Sequence, residues 1–348
     1  MPSSKGYAVL DAQSPLAPFT FARRDPGPTE IAVEILYCGV CHSDLHMARN
    51  EWGQSIYPMV PGHEIVGRVI ATGSAVTKFK VGGIAAIGVI VDSCRHCAPC
   101  DRGEEHFCEK GATLTYAATD RVDGSITMGG YSNNYVVDER FAHRVPENLN
   151  LAAVAPLLCA GITTYSPLHH WKVGPGKKVG IVGLGGLGHM ALKFAHSFGA
   201  HVVQFTTNLR KKEDAIKLGA DEVVLSSDPE AMKAHANSFD FILDTVSAKH
   251  PFDDYLSLLK QDGTLTLVGL PEEPPSFSVF NLITRRASIA GSMIGGMPET
   301  QEMLDYCGQH NIVSEVEVIP IQKVNEAFER LLKQDVKYRF VIDMSSLK

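Results

Sequence analysis

The sequence predicts an α/β protein with a second, β-rich part: a doubly wound parallel sheet joined to a small barrel or sandwich. Strand-like and helix-like stretches alternate with short glycine joints from residue 179 to 269. Residues 1 to about 150 instead hold short β-rich runs broken by Gly and Pro. At 348 residues, 45% hydrophobic and 20% charged, the chain is long enough to bury two cores.

In the front part, residues 31–36 read as a strand alternating in and out, and residues 65–70 as a strand following Pro61-Gly62. The parallel part opens with a short apolar strand at 179–182, a Gly-rich turn and an apolar-periodic helix at 187–198 that Gly199 closes. Then follow strand 201–205, helix 209–218, strand 223–225, helix 229–236, strand 239–243, helix 252–260 and strand 264–269. The tail predicts helices at 299–310 and 322–333 and a strand at 338–342, which fit either part.

Composition excludes several functions. A net charge of −7, with Arg210-Lys211-Lys212 the densest basic cluster, argues against nucleic acid or an anionic membrane as partner. No apolar run approaches the roughly 18–20 residues that span a bilayer. Residues 1–19 lack a basic stretch ahead of an apolar core, so a cytoplasmic protein is expected. Eight cysteines are too few for a disulfide scaffold in so long a chain, and their tight spacing points to metal.

Gly183-Leu184-Gly185-Gly186-Leu187-Gly188 gives G-x-G-x-x-G between a strand and a helix. Gly183 suits the tight turn, Gly185 the close approach of a pyrophosphate, and Gly188 the packing of helix on strand. The helix N-terminus adds partial positive charge for the phosphates. About 20 residues on, where NAD sites carry an acid for the ribose hydroxyl, stand Thr206, Thr207, Asn208, Leu209, Arg210 and Lys211. Hydroxyls and cations suit a 2′-phosphate, so NADP(H) is the expected cofactor; a solvated basic helix start is the plainer alternative.

Cys94, Cys97, Cys100 and Cys108 follow C-x2-C-x2-C-x7-C, the spacing of a closed, structural zinc site. Arg95, Arg102 and backbone amides are expected to offset its negative charge. The rival is an iron–sulfur cluster, although ferredoxin motifs continue differently after the third Cys. Cys41, His63 and Cys159 are a catalytic-zinc type of ligand set, yet spacing alone does not join them. Taken singly, Cys159 reads as a small buried hydrophobe and His63 as a turn residue. Asp44 reads as a structural partner, Trp52 and Met47 as pocket walls or core, and Cys38 and Cys307 as buried hydrophobes. Adjacent His169 and His170 face different sides of a helix and suggest no metal.

The motifs Cys41-His-Ser-Asp-Leu45, Tyr57-Pro-Met-Val-Pro-Gly-His-Glu64, the cysteine quartet, Pro156-Leu-Leu-Cys-Ala-Gly161, the Gly-rich turn, Arg286-Ala-Ser-Ile-Ala-Gly-Ser-Met-Ile-Gly295 and Lys337-Tyr-Arg-Phe-Val-Ile-Asp343 occur in order. Together they resemble the zinc-dependent medium-chain alcohol dehydrogenases, in the cinnamyl-alcohol-dehydrogenase branch with its bacterial NADP-dependent aldehyde reductases. The resemblance implies a chaperonin-10-like β-barrel catalytic domain with a Rossmann domain inserted: 1–155, 156–292 and a return at 293–348. It implies a homodimer, a small alcohol or aldehyde as substrate, and two zinc ions per chain. Cys41, His63 and Cys159 would hold the catalytic zinc, with Glu64 close by. Ser43 and His46 would relay the proton, with Glu51 at the outer end. His42 and Thr163 would touch the dinucleotide, and Thr206, Thr207 and Lys211 its 2′-phosphate.

Three departures from the family pattern stand out. Gly82-Gly83 replaces a frequent Gly-Asp, Leu114 stands near the place of a pocket Trp in lignin-pathway enzymes, and Glu51 replaces an Asp. The expected reaction is broad hydride transfer between NADP(H) and aromatic or aliphatic aldehydes and primary alcohols. A polyol or terpene-alcohol dehydrogenase is the alternative enzyme, and a non-catalytic NADP-binding thiol sensor the alternative class.

Overall fold

The computed structural model describes residues 3–271 and 273–348. The chain forms two compact units, one made of the chain up to Ile162 together with Gly295–Lys348, the other Thr163–Ile294. These breaks lie beside the expected edges at 155 and 292, and they leave Cys159 in the first unit.

The first unit is built on a seven-stranded sheet. Its backbone strand, Glu30–Val40, pairs antiparallel with Ile65–Thr72, Asn134–Asp138 and Arg339–Asp343. The expected alternation over 31–36 is not kept: Ile31, Ala32, Val33 and Ile35 are all buried. Register shifts at Ala32/Val33 and Ile35/Tyr37 explain this, because a bulge re-aims the side chains that follow it. The tail joins this unit, since Val316–Pro320 runs parallel to Arg339–Asp343. A helix, Met297–His310, and a second, Val324–Leu332, precede those strands.

The second unit is a six-stranded, all-parallel sheet in the order Glu222–Leu225, His201–Thr206, Lys178–Val182, Phe239–Asp244, Leu259–Leu267, Ser288–Gly291. Strands buried on both faces read as apolar runs, and Phe205, Phe239, Ile242 and Leu265 form the core against Tyr255 and Leu256. The helix Gly188–Ser197 follows the first strand. Three expected helices are shorter. Residues 209–218 divide into a 3-10 turn, Leu209–Lys211, which the Asn208 side chain caps, and an α-helix Lys212–Lys217. The next helix stops at Lys233. The helix expected over 252–260 ends at Leu256, because Leu258 and Leu259 are buried and Leu259 already pairs with Phe239 as strand. Tertiary burial overrides helical periodicity there.

Among the described residues, no single helix is long and apolar enough to cross a membrane.

Candidate active site

The end of the strand Glu30–Val40 delivers Cys41 to the N-terminus of a short helix, His42–Ala48. Gly62 has φ +102°, and a Cβ there would lie 2.6 Å from the Tyr131 ring, so glycine alone permits the turn that presents His63. A 3-10 turn, Ala155–Leu158, ends at Cys159. The structure thereby brings together ligand atoms of Cys41, His63, Glu64 and Cys159, all within 4.8 Å of one another and all buried. Residue type alone marks this set as metal-binding chemistry; chain folding supplies the convergence.

Asp44, fully buried, organises it. Its carboxylate accepts hydrogen bonds from the Cys41 amide (3.0 Å), the Gly62 amide (3.1 Å), the Tyr131 hydroxyl (3.1 Å) and His63 Nδ1 (3.0 Å). With Nδ1 engaged by Asp44, Nε2 is the ring nitrogen turned toward Cys41 and the one that would bind a metal, the orientation that outer partners impose on ligating imidazoles. The sulfurs of Cys41 and Cys159 lie 3.9 Å apart. The Cys159 thiol holds Cys41 well below the ordinary thiol range and is itself pushed up, so the pair shares one proton. Burial works against a charged His63, yet Asp44 and Cys41 hold it well above its usual value.

Arg339 was not singled out by the sequence reading. It pairs with Glu64 Oε1 in a bond between two buried side chains. Its signal was present: one cation at the head of the apolar run 340–342. Burial pushes Glu64 up to about 7 against the pull of Arg339. The other carboxylate oxygen, Oε2, is buried with no partner among the described residues, and it occupies space that a side chain on Gly39 would fill. Two sulfurs, an imidazole nitrogen and an unpartnered carboxylate oxygen suit a thiophilic divalent cation such as zinc.

Ser43 Oγ lies 3.6 Å from Cys41 Sγ. His46 Nδ1 bonds Glu51, and its ring stacks on Trp52 with centroids 5.1 Å apart. Among the described residues no hydrogen bond joins Ser43 to His46. Met47 is buried core rather than a pocket wall, Trp52 is 37% exposed, and His42 is exposed on the same helix. Cys38 and Cys307 are buried, and His169 and His170 end the helix Ala160–His170.

Cys94, Cys97, Cys100 and Cys108 form the second cluster. Their sulfurs lie 3.4 Å (97–100), 3.9 Å (94–100) and 4.0 Å (97–108) apart. A tetrahedral ion with zinc–sulfur bonds of about 2.3 Å requires edges of about 3.8 Å. The amides of Cys94 and Glu109 point at the sulfurs of Cys108 and Cys97, at 3.3 and 3.4 Å. The His96 amide pulls the Cys94 thiol down to about 6, whereas burial pushes Cys100 up to about 11. The expected arginine contribution is absent: Arg95 pairs with Asp92 and Asp138, and Arg102 with Glu104. Backbone amides do that work, because the carboxylates nearby capture both guanidinium groups.

In the second unit the Gly-rich turn has the geometry its residues imply. Gly183 has φ +89°, a Cβ on Gly188 would lie 2.1 Å from the Gly183 carbonyl oxygen, and a Cβ on Gly185 would meet no atom within 4 Å. The open side at Gly185 leaves the backbone free for a phosphate. Gln204, missed from sequence, is fully buried beneath the turn, where its amide nitrogen lies 3.1 and 3.0 Å from the Ile181 and Gly183 carbonyls. Lys211 Nζ donates to the Leu184 carbonyl at 3.1 Å, so the cation already reaches the turn. Thr206 is buried with its hydroxyl accepting from the Asn208 amide (3.2 Å); Thr207 and Arg210 are exposed beside it. Thr163 lies 8% exposed in the helix Ala160–His170.

Known proteins share both units. The alcohol dehydrogenase GroES-like domain family matches residues 27–147, and the zinc-binding dehydrogenase family residues 186–308. Aldehyde reductase YahK of Escherichia coli (strain K12) is 57% identical across 99% of each chain. The solved structure of a cinnamyl alcohol dehydrogenase from Sorghum bicolor superposes with a TM-score of 0.96 at 44% identity, covering 100% of this chain and 99% of that one. One from Helicobacter pylori, complexed with NADP(H), gives 0.93 at 44% identity and 99% coverage of both. The first unit therefore has the GroES-like barrel fold, and the second the Rossmann-like dinucleotide fold.

Proposed function

Because this chain belongs to the zinc-dependent medium-chain alcohol dehydrogenases, in their cinnamyl-alcohol-dehydrogenase-like branch, we propose that it reduces a broad range of aromatic and aliphatic aldehydes with NADPH. The observation that carries this is the buried convergence of Cys41, His63, Cys159 and Glu64. Zinc held there would supply Lewis acidity for the substrate oxygen, and bound NADPH would supply the hydride.

Cys41, His63 and Cys159 serve as the protein ligands, with Asp44 holding His63 in the ligating tautomer. Glu64 would be the exchangeable group: among the described residues its Oε2 has no partner and could approach a bound metal, while Arg339 holds its Oε1. Ser43 Oγ, beside Cys41, and His46, anchored by Glu51, are the relay groups for the proton that completes the alcohol; no hydrogen bond joins them among the described residues, and the ribose of bound NADP(H) would be the link between them. Thr206, Thr207, Arg210 and Lys211 receive the 2′-phosphate of NADP(H), the Gly183–Gly188 backbone its pyrophosphate, and His42 and Thr163 make further dinucleotide contacts. Cys94, Cys97, Cys100 and Cys108 hold a structural zinc. The outer edge of the strand Ser288–Gly291, with exposed Val279, Phe280 and Ile283 before it, suits a second copy of the chain. We place the dimer in the cytoplasm.

An aldehyde panel with NADPH on zinc-replete protein, read by loss of reduced-nicotinamide absorbance beside a metal count, tests this. Two zincs per chain and turnover on several aldehydes are expected from the two clusters. NADPH binding with one zinc or none and no turnover would instead identify a thiol-based sensor.

A further inference from the structure

In the second unit the sheet order reverses between Lys178–Val182 and Phe239–Asp244: the chain runs outward one way from the first strand and the other way from the second. Doubly wound sheets take ligands in the crevice beyond the carboxyl ends of such a strand pair. One wall of that crevice is the Gly-rich turn. The other is the segment 244–250, which the dinucleotide reading leaves without a role.

That segment is pinned to the turn. The Thr245 amide and hydroxyl both donate to the Val182 carbonyl, at 3.1 and 2.7 Å. Val246 Cγ2 sits 2.8 Å from where a Cβ on Gly183 would stand, and the Val246 backbone covers Gly269. Ser247 Oγ accepts from the Leu270 amide at 3.2 Å. The two ends of the segment are tied by one contact: the carboxylate of Asp244, 2% exposed, receives the Val246 amide (3.0 Å) and His250 Nε2 (2.7 Å). His250 Nδ1 lies 2.8 Å from the Ala248 carbonyl. Both ring nitrogens thus face oxygen acceptors, and only an imidazolium donates from both at once.

We propose that His250 is a positioning residue for the dinucleotide: as an imidazolium bridging Asp244 and the Ala248 carbonyl, it closes 244–250 into a fixed wall of the nucleotide crevice, so that dinucleotide affinity follows its protonation. The proposal rests on the dinucleotide reading above. Burial opposes the charge, but Asp244 and the Ala248 carbonyl outweigh it and raise His250 above its usual value. The clamp is therefore complete below about pH 6.5 and is lost as pH rises through the raised value. Of the groups around it, Tyr255 faces the ring from the helix Phe252–Leu256, with centroids 5.7 Å apart, and burial pushes its hydroxyl up to about 12, so it stays neutral. On the same helix Asp253 is engaged by the Ser278 amide and Asn281, and Asp254 acts on Tyr255. Lys249 is paired with Glu273 at 2.6 Å. Phe252 stacks on the ring at 4.7 Å.

The test is NADPH affinity by fluorescence titration from about pH 6 to pH 9 on the zinc-loaded protein, on His250→Gln and on Asp244→Asn. The wild-type Kd is expected to rise about tenfold relative to the His250→Gln profile as pH increases. Any titration of the 2′-phosphate is common to both proteins and cancels in that comparison. Both variants should bind about tenfold more weakly at the acid end, raising KM for NADPH while kcat at saturating NADPH is kept. NMR titration of wild-type His250 is expected to give a midpoint above 6.5 that falls in Asp244→Asn. Unchanged affinity and the same pH profile in His250→Gln, or a wild-type His250 that titrates at or below 6.5, overturns the clamp alone. Failure of the wild-type protein to bind NADPH at all overturns the dinucleotide reading beneath it.

Discussion

The sulfur of Cys159 reaches Cys41 from a turn 118 residues away in sequence, and no other cysteine stands within the first cluster. Cys159→Ala removes one of the two thiolates that make the set selective for a soft divalent ion. Turnover should fall by about three orders of magnitude, the scale of losing several kcal/mol of Lewis-acid stabilisation. The metal count should drop from two to about one, with NADPH titration within about twofold of wild type because the Gly-rich turn lies in the other unit. Lys211→Glu acts on cofactor choice. Its ammonium already reaches the Leu184 carbonyl; a carboxylate there repels a 2′-phosphate. KM for NADPH should rise about 100-fold, as expected for loss of one or two charge-assisted hydrogen bonds, while KM for NADH changes by less than about threefold. Equal effects on both coenzymes refute the 2′-phosphate assignment.

At the scale of elements, the cysteine lobe also packs on a helix of the same unit. Glu105 Oε2 accepts from the Met297 amide at 2.9 Å, at the N-terminus of the helix Met297–His310. A Cβ on Gly103 would lie 2.6 Å from Pro298, so the lobe packs on the first turn of that helix. Cys100→Ser should release the structural zinc, lowering the metal count from two to one. Hydrogen exchange should then speed at least about tenfold in residues 92–109 and in the first turn of Met297–His310. The strands Lys178–Val182 and Phe239–Asp244, in the other unit, should keep their protection. Uniform acceleration across both units would show that the lobe is not a local device.

At the scale of the whole molecule, His143 is expected to contribute to acid sensitivity. It is 1% exposed, its Nδ1 has no partner among the described residues, and burial together with Lys78 lowers it to about 3. A base whose folded value lies below its unfolded value of 6.5 favours folding above pH 6.5. The contribution is lost as pH falls toward 3, at about 1.4 kcal/mol per pH unit. Urea unfolding midpoints should therefore decline below pH 6.5, and His143→Gln should flatten that limb while lowering the midpoint at pH 7. An unchanged acid limb in the variant removes His143 as its cause.

The sequence by itself determined what is local. Alternating strands and helices with glycine joints specify a doubly wound sheet, because side-chain period and turn chemistry act over a few residues. The same holds for Gly183, Gly185 and Gly188, whose conformations belong to one turn, and for the four cysteines confined to residues 94–108, whose sulfurs meet within one short stretch. Tertiary structure decided everything that joins distant segments. It brought Cys41, His63, Glu64 and Cys159 within 4.8 Å, placed Arg339 on Glu64 across 275 residues, and assigned the tail to the first unit. It also ended the helix at Leu256, where sheet burial outweighed helical period, and it turned Arg95 and Arg102 away from the thiolates toward nearer carboxylates. The physical reason is the same in each case. Periodicity and spacing encode the conformation of a short stretch, whereas burial and charge pairing are settled by which segments meet in the fold.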